Sequence, residues 1–199
     1  MEKINLFPTQ LYHFEKFEWL DQLNILCDPI IASAKNNNKD GFGKVFHSQN
    51  LNSDNQFNFI HQFTLQQAES ILNEQGFNLT NQRLALTSFW VQEFTSLGGG
   101  HHTLHAHWDG HISGFYFLKC SQNTSYPIFQ DPRSGALMNK LPEKNTKNIT
   151  DATSEFHIKC SPGTGLFFNS YLPHMFAVDS GKEPFRFIHW NIQVQSILV

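Results

Sequence analysis

The stretch Gly98-Gly-Gly-His-His-Thr-Leu-His-Ala-His-Trp-Asp-Gly-His111 holds five of the chain's eleven histidines. Imidazoles this dense point to a metal, a proton relay or both, because neutral imidazole is the commonest protein metal ligand. His105, His107 and Asp109 are spaced two apart, and in an extended chain such residues share one side. Two of them could hold a cation if a third ligand arrived from a distant strand. Two or three His with an optional carboxylate suit Fe(II), Zn, Ni or Cu better than Mg or Ca, which prefer oxygen. The plain alternative is a set of surface histidines beside a Gly-rich turn.

The second informative segment is Ser161-Pro-Gly-Thr-Gly-Leu-Phe-Phe-Asn-Ser-Tyr-Leu-Pro-His-Met-Phe176. A turn at Pro162-Gly163 feeds a strand, and a short connection then presents His174. Twelve residues on, Arg186 opens the run Arg186-Phe-Ile-His-Trp-Asn-Ile192. An Arg entering an apolar strand needs a partner. A dicarboxylate ligand would satisfy its planar fork, and so would an internal salt bridge.

Strands and turns must position these residues. From Leu84 onward the pattern predicts strands at Leu84–Thr95, Ile112–Lys119, Tyr126–Phe129, Glu155–Lys159, Leu166–Asn169, Phe176–Val178 and Phe185–Val194, with Gly, Pro, Asn and Asp between them. A turn at Trp108–His111 would lead into a hairpin with strand 112–118. Asp131 to Ile149 is polar and reads as a surface excursion. Before Leu84, Phe7 to Phe14 reads as a short strand. Trp19, Leu20, Leu23, Leu26, Ile30 and Ile31 recur at helical period, with Asp28-Pro29 as a possible restart and Asn36–Gly41 as a loop. Thr64-Leu-Gln-Gln67 reads as a capping box for a helix that buries Leu65, Ala68, Ile71 and Leu72 and stops at Gly76. The fold class expected is mainly β with flanking helices: a helix layer on a β-sandwich or jelly roll. We expect one domain over 1–199, with 1–83 as a helical or mixed support layer and 84–199 as the β core.

Composition narrows the class. Net charge is -3 and Phe numbers twenty, which suits aromatic-lined sheets. Neither a nucleic-acid nor a membrane-surface footprint is expected. No apolar run approaches a membrane span and the first residues lack a signal core. Cys27, Cys120 and Cys160 are scattered and odd in number, as expected of a reduced, cytoplasmic chain.

Taken in order, these segments resemble the iron(II)/2-oxoglutarate-dependent oxygenases, specifically a branch of small members from bacteria and phages. The resemblance rests on His105-Ala-His107, the Trp108–His111 turn, the strand Ile112-Ser-Gly-Phe-Tyr-Phe117, Asp131-Pro-Arg133, Leu172-Pro-His174, and Arg186 with Trp190-Asn191. Leu6-Phe-Pro-Thr9 looks like the family's usual start. The resemblance implies a cupin-like double-stranded β-helix that binds Fe(II) and 2-oxoglutarate. It implies His105, His107 and His174 as metal ligands, with Asp109 as the rival to His105. If His105 ligates, the set lacks the carboxylate of the common triad. Arg186 would bind the far carboxylate of 2-oxoglutarate, with Tyr116 or Ser113 adding a hydrogen bond. O2 would be consumed, and succinate and CO2 released, as a small-molecule or peptidyl substrate is hydroxylated.

His101, His102, His111 and Gln92 are candidates to orient a ligand or simply solvated or core residues. His189 alternates away from Arg186 and reads as structural. Asp131 and Arg133 read as a turn clasp, and Trp90 and Trp190 as core. The competing class is a cupin-like metal protein without 2-oxoglutarate: another dioxygenase, an isomerase or a sensor. A third is a jelly roll with a vestigial metal pocket. Oligomeric state and substrate identity are not legible in the chain.

Overall fold

The structure is a computed structural model and describes residues 1–4 and 6–197. Two helices cover one face of a six-stranded sheet, and a four-stranded sheet faces its other side. In chain order the elements are β1 (Leu11–Glu15), α1 (Leu20–Asn37), β2 (Val45–His47), α2 (Asn58–Glu74), β3 (Gln82–Phe94), β4 (His102–His105) and β5 (Ile112–Lys119). They continue with β6 (Pro127–Gln130), α3 (Ser134–Met138), β7 (Glu155–His157), β8 (Thr164–Asn169), β9 (His174–Phe176) and β10 (Phe185–Ser196). The large sheet runs β1-β8-β5-β10-β3-β2 and the small one β4-β9-β6-β7. This is the jelly roll with flanking helices that the strand pattern predicts. The first 83 residues do more than support it, since β1 and β2 form both edges of the large sheet.

The strand sequences explain the layering. β5 is buried on both faces over Ile112–Leu118, as a central strand covered on both sides must be. Its outward set, Ile112, Tyr116 and Leu118, joins the core under the helices. Its inward set, Phe115 and Phe117, joins the core between the sheets. β10 divides likewise: Ile188, Trp190 and Ile192 face the helices, while Phe185 and Phe187 face inward. α1 contributes Leu23, Cys27 and Ile31, spaced four apart on one stripe. Each fully buried Phe contributes roughly 2 kcal/mol, and rings from six strands (β3, β5, β6, β8, β9 and β10) fill the inner core.

Several local expectations are corrected. α1 does not restart at Pro29 but runs through it to Asn37. The carbonyl that Pro29 leaves without a partner belongs to Ile25, whose side chain is exposed, so water can serve it. Asp28 is no cap: it pairs with Lys119 and Arg186. α2 begins at Asn58, not Thr64; the Thr64 hydroxyl is mid-helix and donates to the His61 carbonyl. Gly76 does end the helix, at φ +86. No hairpin links β4 to β5. β4 pairs with β9 in the small sheet, while β5 lies between β8 and β10 in the large one. The 106–111 segment is therefore a crossover between sheets, pinned by His107 N–H to the Ser170 carbonyl and His111 N–H to the Ile192 carbonyl.

Candidate metal centre

That crossover sets the site. β4 delivers His105 opposite His174 on β9, and the chain leaving β4 turns His107 to the same place. One nitrogen from each of His105, His107 and His174 lies within 4.8 Å of the other two. Their ring centroids are 4.5 to 5.2 Å apart. His174 is buried, His107 half-buried and His105 the most open. Asp109 is exposed and lies outside this group.

Hydrogen bonds orient the rings. His105 Nδ1 donates to the Thr103 carbonyl at 2.7 Å and His174 Nδ1 to the Leu172 carbonyl at 2.9 Å. Both leave Nε2 unprotonated, as a ligand requires. His107 Nε2 is buried without a partner, and its Nδ1 lies 3.4 Å from the Asn191 amide. For Nε2 to ligate, Nδ1 must carry the proton and face the amide oxygen. The Ser113 hydroxyl, bonded to both Asn191 and Ser170, donates or accepts and so serves either amide orientation.

Electrostatics favour the neutral rings. Burial, aided by the neighbouring imidazoles, holds His174 down at about 3 and His107 at about 4. Both are therefore neutral and available to a cation at neutral pH. The donor set fits a divalent transition metal: three imidazoles, two on strands and one on the pinned crossover, one of them with an orphaned nitrogen.

Below the ligands the inner face is aromatic. Phe115, Phe129 and Phe168 pack round His174 at 4.8 to 5.9 Å. Gly114 makes this possible, since a Cβ there would lie 2.4 Å from the Trp190 ring. Ser113-Gly114-Phe115 thus places a hydroxyl on Asn191, leaves room for Trp190, and sets a ring against His174. Beside His107 a cleft of about 290 Å³ opens, its walls including Leu72, Phe77, Trp108 and Tyr171.

Other candidates are placed elsewhere. Arg186 faces the helices, not the cluster: Nε donates to Glu93 at 2.6 Å and Nη1 to Asp28 at 2.5 Å. The internal salt bridge, the plainer reading of this Arg, is what the structure holds. Tyr116 shares that outer face, and its hydroxyl donates to the Lys16 carbonyl. Ser113 alone of the three cosubstrate candidates faces inward. His102 Nε2 donates to Gln92 at 2.6 Å, and the two form a polar pair beside His105. His101 bonds the Gly99 carbonyl and His111 accepts from Val194 N–H, so both hold loops. Arg133 clasps Asp131 through two nitrogens. Trp190 is core.

Sequence reasoning gave no site role to four inward residues: Ser170, Asn191 (quoted only within the family motif), His189 (read as structural) and Trp90 (read as core). His189 does alternate away from Arg186, but Arg186 is the one that turns from the site. The His189 ring lies 4.8 Å from His107 and 4.9 Å from Trp90. The Gly114 backbone lies near the ring, but no bond to either nitrogen meets hydrogen-bonding geometry. The missed signal is the apolar parity of Ile188, Trp190 and Ile192, which marks the helix-covered face and assigns Arg186 to it.

Residues 88–186 match a family model described as "Putative 2OG-Fe(II) oxygenase". The match runs from β3 to the start of β10 and includes the three clustered histidines. No curated protein matches the chain. Similar folds among solved structures include AviO1 from Streptomyces viridochromogenes Tue57, at TM-score 0.65 and 11% identity over 93% of this chain and 90% of that one. EvdO2 from Micromonospora carbonacea var. aurantiaca gives 0.59 and 9% over 100% and 96%. A Pseudomonas putida prolyl-4-hydroxylase gives 0.56 and 11% over 93% of each chain. At these identities the likeness speaks for the fold.

Proposed function

The chain belongs to the 2OG-Fe(II) oxygenase family, and from that premise we propose that it hydroxylates a small-molecule or peptidyl substrate, with His105, His107 and His174 holding the iron. The observation that carries this reading is the convergence of three imidazole nitrogens within 4.8 Å in the part of the chain that matches the family. Fe(II) with 2-oxoglutarate supplies the activation of O2, and succinate and CO2 accompany the hydroxylated product.

The protein's own part is positional. The Thr103 and Leu172 carbonyls fix the tautomers of His105 and His174. Asn191, steadied by Ser113 and Ser170, fixes the ring of His107. The Phe115, Phe129 and Phe168 rings keep water from the ligands' inner side, which strengthens electrostatic interactions there. The cleft beside His107 offers an approach for substrate, and its exposed Phe77, Trp108 and Tyr171 favour an apolar or aromatic group.

The test is anaerobic titration with Fe(II) and then 2-oxoglutarate, followed by visible absorption and, after O2 is admitted, by succinate release. The reading expects a metal-to-ligand charge-transfer band that His174→Ala abolishes. A protein that takes up Fe(II) yet shows no band and releases no succinate is the cupin-like metal protein instead. Among the described residues no helix is long and apolar enough to cross a membrane. We further propose one domain and a cytoplasmic setting, in keeping with free cysteines at 27, 120 and 160.

A further inference from the structure

Resting on that reading, we propose that Trp90 and His189 anchor the far carboxylate of 2-oxoglutarate in place of a basic side chain. The two are register partners on β3 and β10, with rings 4.9 Å apart. His189 is 2% exposed and its ring lies 4.8 Å from that of His107. The pair therefore continues directly from the ligand cluster along the inner face.

Neither His189 nitrogen has a hydrogen-bond partner, and neither does Trp90 Nε1, although all three atoms are withdrawn from solvent. Buried polar atoms are normally paired, and each orphan calls for an explanation; Asn24, His61 and Trp190 hold single orphans on the helix side, whereas these three gather at one place. Here they adjoin His107, whose own Nε2 is also orphaned. An indole N–H and the single N–H of a neutral imidazole make two donors, one for each oxygen of a carboxylate.

The basic candidate of the family pattern, Arg186, does not reach this face. Arg186 is held on the outer face by Glu93 and Asp28. Three neutral ligands leave a bound divalent ion its full charge, which balances the oxo-acid end of the cosubstrate. The far end then needs hydrogen-bond donors more than a second cation. Hydrogen bonds to a charged acceptor are the strong ones.

The test compares two oxo acids on the Mn(II)-loaded protein by calorimetry. 2-Oxopentanoate has the carbon chain of 2-oxoglutarate without its far carboxylate, so the ratio of the two Kd values isolates that group. Wild type is expected to prefer 2-oxoglutarate. Trp90→Phe and His189→Leu should each cut the preference about tenfold or more, with Mn(II) affinity retained as the sign of an intact fold and ligand set. A structural role would weaken both acids alike and leave the ratio unmoved. An unchanged ratio in both variants, or a preference abolished by Arg186→Met in protein that still binds Mn(II), overturns the inference and leaves the function standing. Wild type that binds Mn(II) but neither acid overturns both.

Discussion

On the outer face of β10, Arg186 lies between Glu93 and Asp28, and Ile188, Trp190 and Ile192 pack beneath the helices. On the inner face, Phe185 and Phe187 give way to His189 and Asn191 beside the histidine cluster. One strand thus carries two chemistries at alternate positions. Outside, the charges are paired: Lys35 also reaches Glu93, and Lys119 reaches Asp28. Inside, buried nitrogens on His107 and His189 stay unpaired. A paired buried charge holds an element in place, whereas an orphaned polar atom costs stability unless something binds it. Unpaired atoms also occur on the helix side, at Trp190 Nε1 and His61 Nε2, so what separates the faces is ion pairing outside and the gathering of imidazoles inside.

The largest effects should fall on the inner face. His107→Ala or His174→Ala is expected to lower Fe(II) or Mn(II) affinity more than about 100-fold, since each removes one of the three proposed ligands. Metal content after anaerobic gel filtration reads this directly. The apo protein should lose little stability, because a desolvated imidazole goes with the ligand. Asp109→Ala should keep its metal. Loss of iron in Asp109→Ala with retention in His105→Ala would replace the ligand set proposed above.

On the outer face the opposite split is expected. Arg186→Met should cost about 3 kcal/mol of unfolding free energy, because it leaves Glu93 buried beside Lys35 alone and frees Asp28. Denaturant unfolding measures that cost. Metal affinity of the folded variant should match wild type, and a parallel fall in both would erase the distinction between the faces.

How much of this the chain discloses follows from the range of each signal. β5, β8 and β10 are long alternating or doubly buried runs flanked by turn residues, and their positions are readable to within a few residues. β4 is not, because its four residues have no apolar alternation and exist as a strand through pairing with β9. Pro29 reads as a break because propensity is local, whereas Asp28's ties to Arg186 and Lys119 are tertiary. Spacing alone marks His105, His107 and Asp109 as candidates; the family resemblance is what picks out His105, His107 and His174, the three that the fold brings together. Arg186 misleads because parity shows which residues share a face but not which face looks inward. That depends on the helices, whose cover over Ile188 and Trp190 appears only in three dimensions.

A smaller inner-face effect belongs to Asn191. Its amide meets His107 Nδ1 and the Ser113 hydroxyl, so Asn191→Ala should release one ligand ring without removing it. About a tenfold loss of metal affinity is expected, with Asn191→Asp retaining more than Asn191→Ala because a carboxylate oxygen can still accept from Nδ1. Competition against a chelating dye measures both variants. Equal affinity for wild type and Asn191→Ala would show that packing alone sets the His107 ring.

The finest separation of the faces is by pH, in the apo protein. Burial lowers His174 to about 3 and His107 and His102 to about 4, and it holds His189 well below the usual 6.5. Below pH 6.5 the unfolded chain takes up protons that these folded residues refuse. Stability is therefore full above about pH 6.5 and falls as pH drops toward 4, by up to about 1.4 kcal/mol per pH unit for each imidazole. Asp28 titrates the other way round. Its hydrogen bonds to Arg186 and Lys119 hold its carboxyl below the usual 3.8, so its contribution is full above that value and is lost only as pH falls through the lowered one. Acid should therefore weaken the inner face first and the outer ion pairs second. Urea unfolding at successive pH values resolves the two windows. His102→Gln should flatten the first by about one proton and leave the second alone, while Arg186→Met should change the second and spare the first. Added Mn(II) should deepen the first window alone, because the metal competes with protons for the same nitrogens.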